Sequence, residues 1–242
     1  MRTRSIVLLA LLALPALATA QYDPNAPPPP PPPYGPPPYG PPRGRPPQHD
    51  TGLVVAARVG YAFPGGKISD EGDPRLDDLL EYKIPIWFEL GYRFNPALWG
   101  GFYFEYAPMS VNRDFCVAGR SCDGQSFRFG VDMQFHLAPH RPVDPWLGFG
   151  IGWEFISADA FDSTVGNIST FSYDGLEFPL LEAGLDLALS PRFALGPFIS
   201  YSMAEFSSFN ISTPGFADIS GDIHGRAFHS WLQLGLKGTF KL

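Results

Sequence analysis

The sequence predicts an all-β fold: an eight-stranded antiparallel up-and-down transmembrane β-barrel, preceded by a signal peptide and a disordered proline-rich segment. Three observations carry this. Eight stretches alternate apolar and polar residues with the period of two that a strand imposes. The connections between those stretches alternate long and short. Charged residues make up only 17% of the chain, against about 25% in ordinary soluble domains.

Three segments follow from composition: 1–20, 21–50 and 51–242. In the first, Arg2 and Arg4 precede an apolar run from Ile6 to Leu14, and Ala18-Thr19-Ala20 provides a small-x-small cleavage site before Gln21. This is the layout of a secretory signal peptide, and the run is too short for a membrane helix. Its removal takes the formal charge from −7 to about −9, and an acidic chain argues against nucleic-acid binding. Residues 21–50 hold an unbroken proline run, Pro27 to Pro33, then Tyr34, Tyr39, Arg43 and Arg45 among further Pro and Gly. Proline fixes φ and lacks a donor, so this stretch favours extended polyproline II and buries no core. It reads as a periplasmic spacer of about 90 Å at ~3.1 Å per residue, or as an arm that contacts a cell-wall or envelope partner.

The strands come after Asp50. Leu53, Val55, Ala57, Val59 and Tyr61 share the apolar face of the first. In the second, Tyr82, Ile84, Ile86, Phe88, Leu90 and Tyr92 oppose Lys83, Pro85, Trp87, Glu89, Gly91 and Arg93. Phe102, Phe104 and Tyr106 mark the third, and Phe127, Phe129, Val131, Met133 and Phe135 the fourth. The fifth sets Leu147, Phe149, Ile151, Trp153 and Phe155 against Gly148, Gly150, Gly152 and Glu154. The sixth changes phase, from Leu176, Phe178 and Leu180 to Leu181, Ala183, Leu185 and Leu187, which calls for a bulge near Pro179. Phe193, Leu195, Ile199, Tyr201 and Met203 form the seventh. The eighth alternates unbroken from Phe228 to Leu242. Long connections are expected at about 64–81, 108–125, 157–173 and 206–226, all on one side. Short ones are expected around Asn95-Pro96-Ala97, at Ala138 to Pro145 and at Ser190-Pro191-Arg192. Sorted loops and an even strand count are the pattern of a membrane barrel.

A soluble barrel would turn its apolar faces inward. Bulky Phe, Leu, Ile and Tyr side chains together overfill an eight-stranded interior. The glycine-rich polar faces suit it, leaving room for Trp87, Tyr103, Phe198 and Trp231. The apolar faces therefore point to lipid, with Tyr61, Tyr82, Tyr92, Phe94, Tyr106, Phe155 and Tyr201 as interfacial girdles. Inside, Arg58, Glu89, Glu105, Arg128, Asp132 and Lys237 are expected to form a charge network that fills the lumen, since charges at that depth persist only when paired or hydrated. Such a network reads as a plug supporting the fold, or else as a narrow gated ion path.

Other chemistry is sparse. Cys116 and Cys122 lie in one exported segment and are expected to form a local disulfide. Two cysteines without a nearby His make a poor metal site, and the acidic stretch Ser69 to Glu81 lacks the ligand order of a calcium loop. It reads as a surface loop with a short helix at Leu76 to Leu80. No cofactor is expected. His229-Ser230 is the tempting hydrolase pair, but adjacent strand residues face opposite ways, so no catalytic residue is assigned. Asn167-Ile168-Ser169 and Asn210-Ile211-Ser212 match glycosylation sequons by chance.

The signal peptide, eight strands, sorted loops and strand-like C-terminus resemble the small bacterial outer-membrane β-barrel proteins, the broad Gram-negative group that includes the outer-membrane protein A and W types. The resemblance covers about 51–242. It implies closure of the last strand on the first, both termini in the periplasm, and outer-membrane lipid and lipopolysaccharide as surroundings. It also implies a C-terminal strand read by the barrel-assembly machinery; here Phe240 lies two residues before Leu242 on the same face. The expected function is a non-enzymatic structural or surface-interaction role with a side-chain-filled lumen. The alternative is a porin-like narrow channel or transporter for small apolar molecules, through a lateral opening near Pro179. A lipid-modifying barrel enzyme comes last.

Overall fold

The computed structural model describes residues 51–68, 75–112, 120–162 and 166–242. The signal sequence, the proline-rich arm, residues 69–74 of the acidic stretch and Cys116 of the expected disulfide lie outside them. Ten strands and one short helix follow in order. They are β1 (Gly52–Gly66), α1 (Leu76–Leu79), β2 (Leu80–Lys83), β3 (Ile86–Asn95), β4 (Leu98–Val111), β5 (Arg120–His136), β6 (Val143–Asp162), β7 (Gly166–Ala188), β8 (Phe193–Ser212), β9 (Ile219–Asp222) and β10 (Phe228–Lys241).

Eight staves close into a ring. β2 and β3 form one stave, split where Pro85 supplies no N–H to the ladder. The gap is bridged by Gly60 N–H donating to the Pro85 carbonyl at 3.1 Å and Ile84 N–H to that of Pro108 at 3.0 Å. β10 pairs with β8 and, antiparallel, with β1, from Val54 opposite Lys241 to Gly66 opposite His229. Ring closure leaves no free edge along these staves.

Three tight turns lie at one end, called here the turn end, with the start of β1 and the end of β10. Each is tied by its own side chain. Asn95 Oδ1 accepts from the Ala97 and Leu98 amides, both at 2.9 Å. Asp144 Oδ1 accepts from Ala138 N–H at 2.9 Å, and Ser190 Oγ from Phe193 N–H at 3.0 Å. At the opposite, loop end, the connections are shorter than the sequence pattern predicts. β6 runs to Asp162, β7 starts at Gly166, and β8 runs to Ser212 before β9 pairs back on it. Hydrophobic alternation stops above an apolar belt, whereas backbone pairing continues.

The apolar face is outside: Phe102 is 70% exposed and Phe88 58%, while Trp87 and Trp231 are wholly buried inside. Tyr61 and Tyr82 stack at 4.8 Å between ring centroids within the outer aromatic set. Polarity inverts inside at the loop end, where Ala62, Ile68, Leu76, Leu80, Met109, Ile156, Phe206 and Trp231 form an apolar core. Helix α1 contributes Leu76 and the half-buried Leu79 to it, so a small hydrophobic core occupies this end of the lumen.

The β7 phase switch occurs where expected. Its pairing with both neighbours breaks between Glu177 and Leu180, so Leu180 does not share the face of the exposed Phe178 as the alternation predicts but is fully buried, like Glu177. Glycines on the inner face make room for large rings. A Cβ on Gly152 would lie 2.0 Å from Tyr103 Oη and 2.7 Å from the Phe129 carbonyl oxygen. We expect Gly152→Ala to lower barrel stability by about 1–3 kcal/mol, the usual cost of overpacking, measured by urea unfolding in lipid vesicles. Adding Tyr103→Phe should return only part of it, because the backbone oxygen remains.

Candidate functional site: the filled lumen

The inner faces of the staves carry charges into a space eight strands wide, which holds little more than side chains. Among the described residues these charges gather into two main groups and a small one at the turn end. The group nearer the turns centres on Arg58. Its guanidinium meets Glu182 at 2.5 and 3.2 Å, pairs closely with Glu89, and lies 3.8 Å from Asp132. Lys237 pairs with Glu89 at 3.2 Å and with the Gln134 carbonyl oxygen, and the Gln134 amide donates to Asp132 at 2.9 Å.

The second group centres on Arg128. It grips Glu105 with two parallel N–H donors, the bidentate geometry that makes guanidinium–carboxylate pairs strong, and also pairs with Glu177 and Ser202. Lys83 lies 2.9 Å from Glu105 and 3.4 Å from Glu154. His229 Nε2 meets Glu154 at 2.8 Å and its ring stacks on Phe206 at 4.0 Å. Tyr103 donates to Glu177 at 2.7 Å and Gln233 to Glu105 at 3.1 Å.

An aromatic layer joins the two groups. The Trp87 ring centroid is 4.7 Å from the Arg58 guanidinium carbon and 5.0 Å from that of Arg128, and Tyr103 stacks on it at 5.3 Å. Leu180 completes this layer. Lys237 sits 4.4 Å from the Trp146 ring and Lys83 4.1 Å from Trp231. Each cation is thus desolvated against a π face and a carboxylate together. At the turn end, Arg93 approaches His136 Nε2 at 2.9 Å, and His136 Nδ1 lies 2.8 Å from Asp144. Because the arginine can only donate, Nε2 accepts and Nδ1–H donates to the carboxylate.

Of the six residues expected in one network, Arg58, Glu89, Asp132 and Lys237 sit together, while Glu105 and Arg128 belong to the second group. Glu182 joins the first group, and Lys83 and Glu154 the second. Glu177 is the residue the pattern hides. Glu177 and Glu182 are an odd number of positions apart, so both can face inward only across the Phe178-Pro179 bulge. His229 belongs to the lumen and its bonded partner is Glu154; Ser230 lies on the other face of β10. Among the described residues no group of three or more His, Cys, Asp or Glu side chains could hold a metal.

No family model and no curated protein sequence matches the chain. Solved structures do. A major outer-membrane protein of Thermus thermophilus matches 79% of this chain and all of its own, with a TM-score of 0.54 at 16% identity. The outer-membrane protein OprG of Pseudomonas aeruginosa matches 81% of this chain and 99% of its own, with a TM-score of 0.47 at 11% identity. The fold is that of the small bacterial outer-membrane β-barrels.

Removing one partner of a buried pair leaves an uncompensated charge. We expect Arg128→Met to destabilise the barrel by about 3–5 kcal/mol, read from urea unfolding in vesicles. Adding Glu177→Gln to that variant should recover part of the loss, since one stranded carboxylate is then neutral.

Proposed function

We propose that the protein is an integral outer-membrane β-barrel with a structural or surface-interaction role, closed by its own side chains. One observation carries this reading: the lumen is filled along its length. The side chains of Arg58, Glu89, Glu105, Arg128, Lys83, Glu154 and Glu182 have no exposed area, and the α1 core lies over them at the loop end. No helix of the described residues is long and apolar enough to cross a membrane; in this reading the strands make the crossing. The turn end and both termini are then periplasmic, the proline-rich arm is a periplasmic spacer, and the loop end is outside the cell.

A lateral opening for small apolar molecules would lie at the β7 irregularity. Behind it Leu180 packs with Trp87 and Tyr103, which favours a closed wall. A hydrolytic role finds no support in the arrangement of His229.

Two measurements test this. Unboiled protein from outer-membrane fractions should migrate differently from boiled protein on a denaturing gel; one mobility, with recovery in the soluble periplasm, would overturn the placement. In planar lipid bilayers the wild type should give no discrete conductance steps, whereas Trp87→Ala combined with Arg128→Ala should admit ions. Regular steps from the wild type would instead favour the channel.

A further inference from the structure

Outside the lumen, the wall carries a second organised surface at the loop end. Directly opposed residues of an antiparallel ladder lie on the same face. Phe127 opposes Phe155, which opposes Asp174, then Ser208, then Asp222, so one row crosses β5, β6, β7, β8 and β9. Phe127 and Phe155 are 37% and 41% exposed and belong to the outward apolar face. The row is therefore on the outside of the barrel. One step toward the loops, Ser157, Ser172, Asn210 and Ser220 form the next row.

Both rows line a cavity of about 420 Å³, within the range of about 300–1,000 Å³ usual for small-ligand sites. Its polar groups are hydroxyls, an amide and carboxylates, with no Lys or Arg among its lining residues. Asp174 is held in place, with one oxygen accepting from Trp153 Nε1 at 3.2 Å and the other from Ser208.

We propose that this cleft binds the sugar headgroup of a glycolipid in the surrounding outer leaflet. The proposal rests on the membrane placement above. A sugar ring offers hydroxyls that donate to Asp174 and Asp222 and accept from Ser172 and Asn210, together with an apolar C–H face for Phe127 and Phe155. A phosphate would meet two carboxylates and no cation. Each oxygen of Asp174 accepts one hydrogen bond within the wall and keeps a lone pair for a sugar hydroxyl. The first row lies level with Phe127 and Phe155 on the outside of the barrel and the second lies one step above them, where headgroups of the same leaflet lie. That position selects a membrane glycolipid over a soluble glycan.

The test uses the full barrel in phosphatidylcholine nanodiscs, titrated with a purified neutral glycolipid, glucosyl diacylglycerol, in the same lipid. Backbone amide chemical shifts report the site. Shifts at Ser157, Ser172, Asn210 and Ser220 are expected. Ser172→Leu combined with Asn210→Leu should weaken binding about tenfold, through lost hydrogen bonds, with the heat-dependent gel mobility unchanged. Asp222→Asn gives a second, milder probe if the double variant loses that mobility, and should weaken binding in the same sense. Equal shifts from phosphatidylglycerol, which has no sugar ring, would overturn the proposal, as would unchanged affinity in a folded variant. Stronger binding of the acyl-free sugar headgroup than of the intact glycolipid would overturn the choice of source. Failure of the wild type to enter nanodiscs would instead count against the membrane placement.

Discussion

The placement of Arg58 and Arg128 against one shared tryptophan governs this barrel. An eight-stranded ring encloses too little water to solvate an isolated guanidinium, so each must find carboxylates on other staves. Arg58 finds Glu182 and Glu89, and Arg128 finds Glu105 and Glu177. These partners lie on β3, β4 and β7, so the pairs act as spokes that fix the staves against one another. Trp87 joins the two hubs and keeps the space between them apolar.

The glycine pattern and the bulge are consequences of that filling. Tyr103 reaches Glu177 only because Gly152 has no side chain in its path. Glu177 faces inward together with Glu182 only because β7 slips phase at Phe178-Pro179. An irregularity that could be taken for a gate therefore supplies a carboxylate to each charge group.

Along the barrel axis, the physical role of the wall changes. Through the belt, the outside is apolar and the inside charged. At the loop end, the outside carries serines, an asparagine and aspartates, and the inside a small hydrophobic core shared with α1. In the membrane placement proposed above, the same strands thus serve two solvents, lipid and water, with opposite side-chain polarity. The junction between those regimes is where the outward cleft lies.

Sequence alone determined the ring of eight staves, the short turns, the outward apolar face and the inward position of Arg58, Glu89, Glu105, Arg128, Asp132 and Lys237. Those follow from a period of two, and a wall that is apolar on one face and charged on the other allows few departures from it. It also placed the phase switch at Pro179. Tertiary structure decided who meets whom. Shear between staves brings Lys237 to Glu89 and separates both from Arg128, and no spacing within one strand encodes shear. It also decided how far the strands run beyond the belt, because backbone pairing there proceeds without hydrophobic alternation to announce it. The outward cleft was illegible for the same reason: its row is assembled from one residue on each of five strands, aligned only by their registers.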